Sequence, residues 1–360
     1  MSTNGSRQIF LMQLPAWGRQ SPPFASALLA AVLRRNGFAV QCMDLNNDLY
    51  HYVPAGRKAL WSEVQYDFWT NPSRVRALVD EYRDYLEAVA RSLISRDPLF
   101  VGMSVNAKAA LFTLEFAAIL KRLGLRAPVV CGGPYWVREQ REALEKPLLE
   151  GRGDAVAVGE GEATIVDLAE CLQRGADIAH VKGLYSIVRG RVVCGGERDP
   201  LPEVDSLPYP DYSDFDLSRY QEPYRIEVFG TRGCVNHCLF CNEREQWKTF
   251  RAFSGERLFA EVRSQLARYP KVNKIVFNDS CFNGAIREFE KFCDLVIAAG
   301  LQFTWAAQGR LHPQMTEERI RKMKQSGCEY LSLGLESASQ KVLDSMHKYQ
   351  DVGQCERIIR

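Results

Sequence analysis

The chain has 360 residues, of which 46% are hydrophobic and 25% are charged, and its formal net charge is +2. This length allows two ordinary domains with their own cores, and the near balance of charge excludes a domain-wide basic surface for nucleic acid. The apolar stretch 9–14 is too short for a signal peptide or a membrane-spanning helix, and 11 cysteines in this length do not form a disulfide framework. We therefore expect a cytoplasmic protein without membrane or nucleic-acid partners.

The first half of the chain alternates short apolar runs with helical stretches, which is typical of a parallel sheet covered by helices on both faces. The predicted strands are 8–14, 39–43, 99–104, 129–131 and 155–158. The segment 57–95 is rich in aromatic and charged residues and indicates helices inserted between the second and third strands. A hairpin follows the fifth strand, with 184–188 paired to 191–194. These elements predict a doubly wound α/β domain over residues 1–198.

Glycine and small polar residues follow several of the predicted strands. Ligands of doubly wound sheets bind beyond the carboxyl ends of the strands, so six residues there are candidates for cofactor contact: Ser104, Gly132, Gly133, Glu160, Gly159 and Gly161. Glycines at such positions let the backbone approach a bulky ligand closely. The same residue types also serve strand-to-helix turns for their backbone geometry alone, and no G-x-G-x-x-G dinucleotide motif is present.

Prolines interrupt the chain between the two halves and predict a linker over residues 199–223. A second domain, 224–360, then repeats longer strand–helix units. Its predicted strands are 226–229, 274–277, 303–307 and 330–333.

Three cysteines follow the first of these strands on a glycine-flanked loop, with the spacing C-x₃-C-x₂-C: Cys234, Cys238 and Cys241. Thiolates this close can hold one metal centre. A four-iron cubane is normally held by four cysteines, so three of them imply one iron left open for a substrate or cofactor. The alternatives are unligated core cysteines, or a zinc site that takes His237 as its fourth ligand, although tetrahedral zinc sites usually draw their ligands from two separated pairs.

The spacing of these cysteines, with the aromatic Phe240 directly before the last one, resembles the motif of the radical S-adenosylmethionine (SAM) superfamily. The resemblance implies a [4Fe–4S] cluster, SAM as cofactor and a partial (β/α)₆ barrel, of which residues 224–360 would supply the first four units. Two further units have no sequence here, so we expect this chain to be a truncated part of a longer protein.

Polar residues at the ends of the later strands match further positions of that superfamily. The run Gly334-Leu-Glu336-Ser337 resembles its G-x-E-S element for SAM binding, and Asp279 and Arg310 match recurrent polar positions at neighbouring strand ends. A sulfonium zwitterion with a ribose needs such cations, carboxylates and hydroxyls. The alternative for each residue is a surface salt bridge or a helix cap, as for Ser337.

The first domain resembles the cobalamin-binding domain that precedes many radical SAM domains, with V-C-G-G-P at 130–134 and V-G-E-G-E at 158–162. The D-x-H-x-x-G motif that supplies a histidine to cobalt is absent, so the lower axial ligand is unassigned. The resemblance implies an enzyme that cleaves SAM reductively to a 5′-deoxyadenosyl radical and methylates an unactivated carbon of a small-molecule or natural-product substrate. A reductase, flavodoxin or ferredoxin would donate the electron.

Several alternatives to that function remain open. Some relatives cyclise, rearrange or oxidise their substrates without methyl transfer. A transfer-RNA methylthiotransferase should carry a second cysteine triplet in its first domain, whereas the scattered cysteines there are interpreted as packing residues: Cys42, Cys131, Cys171 and Cys194. A non-enzymatic zinc or cobalamin sensor is the third alternative.

Overall fold

A computed structural model of the chain describes residues 7–137 and 139–360, with backbone only for 244 and 245. The chain divides into two compact units. The first consists of Met1–Asp199 with Pro208–Gln221, and the second consists of Pro200–Leu207 with Glu222–Arg360. The segment predicted as a linker is thus shared between the units. Across the described ranges, no helix is both long enough and apolar enough to cross a bilayer.

The first unit is built on one sheet in the order β2-β1-β3-β4-β5-β6-β7. Its strands are β1 (Ile9–Gln13), β2 (Val40–Asp44), β3 (Val101–Ser104), β4 (Val129–Gly132), β5 (Ala155–Ala157), β6 (Leu184–Val188) and β7 (Arg191–Cys194). The strands β1 to β5 are parallel, and the β6–β7 hairpin continues the sheet antiparallel. This arrangement confirms the predicted doubly wound sheet and its hairpin.

Eight helices accompany this sheet in the described residues. They are α1 (Phe24–Arg35), α2 (Leu45–Tyr52), α3 (Tyr66–Trp69), α4 (Pro72–Glu81), α5 (Arg83–Ile94), α6 (Ala110–Arg122), α7 (Arg141–Leu149) and α8 (Gly161–Gln173). The helices α3 to α5 lie in the predicted insertion between the second and third strands, together with two 3₁₀ turns.

The central strand β1 shows why the sheet is covered on both faces. All five of its residues are buried, and successive side chains of a strand point to opposite faces. Ile9 and Leu11 lie in one hydrophobic cluster with residues of α1 and α8, whereas Phe10 and Met12 lie in another with residues of the inserted helices and α6. A strand without a polar face requires both helical layers.

The segment 208–221, here called the strap, packs on the first unit. Tyr212 is fully buried. The carboxylate of Asp214 accepts hydrogen bonds from Arg34 Nη2 (2.6 Å) and from the backbone N–H of Cys42 (2.7 Å). Because Cys42 belongs to the edge strand β2, the strap covers a backbone group that would otherwise be available for pairing with another chain.

The end of the strap is joined to the carboxyl end of β2. Tyr220 Oη donates to Asp44 Oδ2 (2.8 Å), and the N–H of Asn47 donates to Asp44 Oδ1 (3.0 Å). Burial raises the pKa of Asp44 to about 6, and the two hydrogen bonds only partly oppose that rise. The acid is therefore partly protonated in mildly acidic solution.

The second unit is built on the parallel sheet β13-β12-β11-β8. Its strands are β8 (Arg225–Val228), β9 (Thr231–Arg232), β10 (Arg251–Ala252), β11 (Lys274–Phe277), β12 (Thr304–Arg310) and β13 (Cys328–Gly334). Its helices are α9 (Glu243–Gln246), α10 (Gly255–Arg268), α11 (Ile286–Ala299), α12 (Glu317–Gln325), α13 (Gln340–Ser345) and α14 (Val352–Ile359). The four parallel strands confirm the predicted α/β fold, whereas the antiparallel ribbon of β9 and β10 was not predicted.

An aromatic cluster forms the core of the second unit beneath its strand ends. The rings of Phe277 and Phe282 stack with centroids 4.3 Å apart, and both contact Trp305 edge-on or tilted. The indole N–H of Trp305 donates to the carbonyl of Ser326 (3.0 Å), so the buried polar group is satisfied. These residues support the loops that follow β8 and β11.

The Asp44 carboxyl predicts a pH dependence of stability. Its pKa is 3.8 in the reference state and about 6 in the fold, so the folded state binds the proton more tightly and Asp44 destabilises the fold progressively as pH rises from about 4 to about 6. Relative to Asp44→Asn, we expect the wild-type chain to lose about 3 kcal/mol of unfolding free energy across that window. Urea unfolding followed by circular dichroism at several pH values measures this difference, and a constant difference across the window contradicts the prediction.

Candidate functional site

The three predicted ligand cysteines lie on a loop between β9 and α9, here called the cysteine loop (residues 233–242). Cys234 and Cys238 are half-buried and Cys241 is exposed. The loop starts at Gly233, which has φ of +77° and whose Cβ, if present, would lie 3.1 Å from the Thr249 carbonyl. The segment just before β10 therefore packs against the base of the loop, where both conformation and space favour glycine.

A buried carboxylate anchors the chain between β8 and the cysteine loop. The N–H of Gly230 donates to Asp279 Oδ1 (2.8 Å), and a Cβ on Gly230 would lie 2.6 Å from the Phe282 ring and 2.8 Å from Asp279 Oδ2. Burial raises the pKa of Asp279 to about 7, and the amides of Gly230 and Thr231 lower it. Asp279 thus holds the segment that leads into the cysteine loop. Its contact with SAM stays a prediction.

Arg310 joins the end of β12 to the cysteine loop. Its guanidinium Nη1 donates to Asn236 Oδ1, between the first two cysteines. Its own backbone is held by Asn283, whose Nδ2 donates to the Arg310 carbonyl (2.8 Å) and whose Oδ1 accepts from the Arg310 N–H (3.0 Å). Arg310 is also the register partner of Gly334 on β13, so the structure brings two predicted SAM residues together.

The other side of the cysteine loop meets the turn between α13 and α14. The N–H of Leu239 donates to the carbonyl of Met346 (3.0 Å). Two residues later, Lys348 Nζ lies 2.9 Å from Glu336 Oε1 and 5.7 Å from the ring centroid of Phe240. Glu336 itself has a left-handed backbone, with φ of +67°. The predicted SAM residue Glu336 and the motif aromatic Phe240 therefore share one lysine.

The electrostatics of the loop favour thiolate at one of its cysteines. A hydrogen bond with the thiol of Cys281 lowers the pKa of Cys234, and the Arg310 cation contributes in the same direction. Burial raises the pKa of Cys238, against the field of the Lys348 ammonium. Thiolates are the form that ligates metals, so the donor chemistry of the loop suits a cluster.

Among the described residues, no three His, Cys, Asp or Glu side chains converge closely enough to ligate one metal ion. A [4Fe–4S] cluster does not require its cysteines to converge on one ion, because each cysteine binds a separate iron. Three thiols on one loop, one of them with a lowered pKa, fit that donor set.

The candidate cofactor residues of the first unit lie together at the carboxyl ends of neighbouring strands. Ser104 ends β3 and is the register partner of Gly132, which ends β4. Gly133 has φ of +106°, and a Cβ there would lie 2.7 Å from the Val105 carbonyl oxygen and 2.8 Å from the Val105 nitrogen. The chain's own packing therefore requires glycine at 133. A Cβ on Gly132 would meet only the Ala157 Cβ at 3.6 Å, an ordinary contact.

The residues after β5 follow the carboxyl end of that strand. Gly159 has φ of +87° and no heavy atom within 4 Å of the position of a Cβ. Glu160 and Gly161 begin helix α8, where a Cβ on Gly161 would lie 3.5 Å from Leu29. No protein atom therefore fills the position of a side chain at Gly159, and the contacts of all six candidates with a cofactor stay predictions.

Ser337 takes part in a turn ahead of α13, where its Oγ accepts from the N–H of Ser339 (3.1 Å). Sequence reasoning missed three residues that hold the site: Cys281, Asn283 and Lys348. Cys281 follows the predicted site residue Asp279 by two residues, so its position just after β11 could have indicated that it belongs to the site. Nothing in the local sequence marks Asn283 or Lys348, because their partners are distant along the chain.

The remaining cysteines of the first unit were interpreted as packing residues. Cys42, Cys131 and Cys171 are buried, as predicted, but Cys194 is exposed at the end of β7. The prediction for Cys194 is wrong because the β6–β7 hairpin lies at the edge of the sheet, where one side of β7 has no neighbouring strand.

Comparisons with known proteins agree with this geometry. Residues 228–359 match the sequence profile of the radical SAM superfamily. The chain is 28% identical over 265 residues to an uncharacterized methyltransferase of Pyrococcus horikoshii, covering 72% of this chain and 56% of that protein. It is 26% identical over 285 residues to the anaerobic magnesium-protoporphyrin IX monomethyl ester cyclase of Rubrivivax gelatinosus, covering 76% and 50%. The chain spans about half the length of these curated relatives.

The fold is similar to that of TsrM from Kitasatospora setae, a radical SAM methyltransferase solved with tryptophan and a SAM analogue. The TM-score is 0.72 at 18% identity, covering 99% of this chain and 65% of TsrM. A second TsrM structure, with cobalamin and a [4Fe–4S] cluster bound, gives a TM-score of 0.68 at 17% identity, covering 99% of this chain and 64% of that one. Residues 228–359 therefore match the radical SAM superfamily, and the fold of the chain is similar to that of TsrM, which was solved with cobalamin bound.

Proposed function

We propose that the chain carries the cofactor-binding domains of a cobalamin-dependent radical SAM enzyme that methylates an unactivated carbon of a small molecule. The observation that carries this proposal is the cysteine loop, which follows β8 and the short strand β9 within the residues that match the superfamily. The similarity to a methyltransferase of Pyrococcus horikoshii supports methyl transfer.

Cys234, Cys238 and Cys241 would each hold one iron of a [4Fe–4S] cluster, which leaves one iron without a protein ligand. When bound and reduced, the cluster supplies the electron that cleaves SAM to a 5′-deoxyadenosyl radical. The task of the protein is to hold the thiolates in place and to keep the reacting partners aligned. The contacts of the loop with Arg310 and with the α13–α14 turn would serve this task, and Asp279 would hold the segment that leads into the loop.

Arg310 and Glu336 would bind SAM on the neighbouring strand ends. Their strands are adjacent, and Arg310 is in register with Gly334, two residues before Glu336. A guanidinium suits the carboxylate of SAM, and a carboxylate suits its ribose hydroxyls or its amine. Phe240 lies on the same loop as the cysteines and is 54% exposed, so its ring is available to an incoming ligand.

The first unit would hold cobalamin over the ends of β3, β4 and β5. Gly159 offers open space there, and Gly132 lies at the end of the adjacent strand. When bound, cobalamin supplies the methyl group. We propose a flavodoxin, a ferredoxin or their reductase as electron donor, because the cluster has to be reduced before each cleavage.

Cyclisation is a second candidate function, favoured by the similarity to the cyclase of Rubrivivax gelatinosus. The two activities differ in the fate of the methyl group. Incubation of the reduced protein with candidate small molecules and SAM labelled in its methyl group distinguishes them, because only methyl transfer leaves the label in the product. Formation of 5′-deoxyadenosine without labelled product would favour cyclisation or another radical reaction.

Replacing Cys234, Cys238 or Cys241 with Ala is expected to abolish cluster assembly, since each removes one iron ligand. After anaerobic reconstitution with iron and sulfide, iron content and electron paramagnetic resonance of the reduced protein measure the loss. Cys293→Ala is the matched control, because Cys293 is a buried cysteine of α11. Equal iron content in all four variants would contradict the assignment.

Variants with bulky side chains at the strand ends of the first unit are expected to bind less cobalamin, while their iron–sulfur signal stays intact. Gly159→Phe would fill the open space, and Gly132→Leu would extend over the neighbouring strand end. Gly175→Phe is the control, since Gly175 also has a positive φ (+66°) and open space, but follows the far end of α8. The corrinoid absorption spectrum of reconstituted protein measures binding. Full cobalamin content in both test variants would refute this site.

A further inference from the structure

Lys348 is a buried lysine at the meeting point of the cysteine loop and the end of β13. It is only 7% exposed and lies in the turn between α13 and α14. The residues on either side of it, His347 and Tyr349, both have left-handed backbones, with φ of +53° and +52°. Such conformations are energetically unfavourable for residues other than glycine. Strained backbone of this kind persists where the surrounding structure over-determines it and often marks a functional site.

The ammonium of Lys348 has partners on two elements of the candidate site. It lies 2.9 Å from Glu336 Oε1 and 5.7 Å from the centroid of the Phe240 ring, within the range of a cation–π contact. The hydrogen bond from Leu239 N–H to the Met346 carbonyl (3.0 Å) fixes the turn against the cysteine loop. A buried ammonium needs such compensation, because an unpaired charge is costly away from water.

The ion pair of Lys348 and Glu336 lies directly against the backbone of Gly334. A Cβ on Gly334 would lie 2.7 Å from Glu336 Oε1 and 3.1 Å from Lys348 Nζ. The Glu336 side chain is still 38% exposed, and among the described residues no partner is found for its other oxygen, Oε2. The lysine therefore anchors one carboxylate oxygen and leaves the other for a ligand.

We propose that Lys348 is a positioning residue for SAM, which holds the Glu336 carboxylate and the Phe240 ring in the orientation that receives the cofactor. This inference rests on the function proposed above. Lys348 acts through Glu336, so its removal weakens SAM binding without removing a cluster ligand. The glycine at 334 is part of the same arrangement, because a methyl group there would displace the carboxylate.

The test is SAM affinity of the cluster-reconstituted chain, measured by equilibrium dialysis with labelled SAM and normalised to iron content. Lys348→Met is expected to raise the Kd for SAM at least tenfold, Lys348→Arg to restore part of the affinity, and Gly334→Ala to weaken binding in the same direction. Lys341→Met on the exposed face of α13 is the matched control and is expected to leave the Kd unchanged. Thermal unfolding verifies that each variant folds.

A double-mutant cycle decides whether Lys348 acts through Glu336. We expect Lys348→Met to add little to the loss caused by Glu336→Gln. An unchanged Kd in Lys348→Met, or fully additive losses, would overturn the inference, as would a loss of iron in both Lys348→Met and Lys348→Arg, which would make the lysine a support of the loop alone. If the wild-type chain assembles a cluster but binds no SAM, the proposed function fails together with the inference.

Discussion

The hydrogen bond from the Gly230 amide to the buried carboxylate of Asp279 is the contact on which the site depends (2.8 Å). It joins the segment between β8 and β9, which leads into the cysteine loop, to the residues after β11. The lack of a side chain at 230 is part of this contact, because the Phe282 ring occupies the position of a Cβ. The aromatic core below and the loop above are thereby locked to each other. A carboxylate that is buried there lies in a costly environment, as the raised pKa of Asp279 shows.

Much of the architecture was predictable because it depends on short-range patterns. The apolar run of β1 and the glycine-flanked cysteines are visible in single windows of sequence, and the positions of the strands follow from the alternation of apolar runs and amphipathic stretches. The strap at 208–221 was less predictable. Its prolines correctly exclude a regular element, but the hydrogen bonds from Arg34 and Cys42 to Asp214 join positions more than 170 residues apart, which no local pattern encodes.

The glycines of the first unit show where residue type alone is ambiguous. Gly133 and Gly159 both follow strands, both have positive φ and both were candidates for ligand contact. At Gly133 the neighbouring backbone of Val105 occupies the space of a side chain, whereas at Gly159 that space is open. Glycine is therefore required by the packing of neighbouring backbone at position 133, whereas at position 159 no neighbouring atom requires it. The pairing of Ser104 with Gly132 brings Val105 alongside Gly133, and such register is a property of the folded sheet.

Three contacts with residues distant along the chain hold the middle of the cysteine loop: Asn236 to Arg310, Leu239 to Met346 and Phe240 to Lys348. Arg310 lies at the end of β12, and Met346 and Lys348 both lie in the α13–α14 turn, so residues distant along the chain help to fix the geometry of the loop. The middle of the loop nevertheless remains accessible, since Leu239 is 67% exposed and Phe240 is 54% exposed. A loop that is fixed along one side and open along the other can keep its thiolates in place while a ligand approaches. Rigid support with an accessible face is what a metal centre with an open coordination position requires.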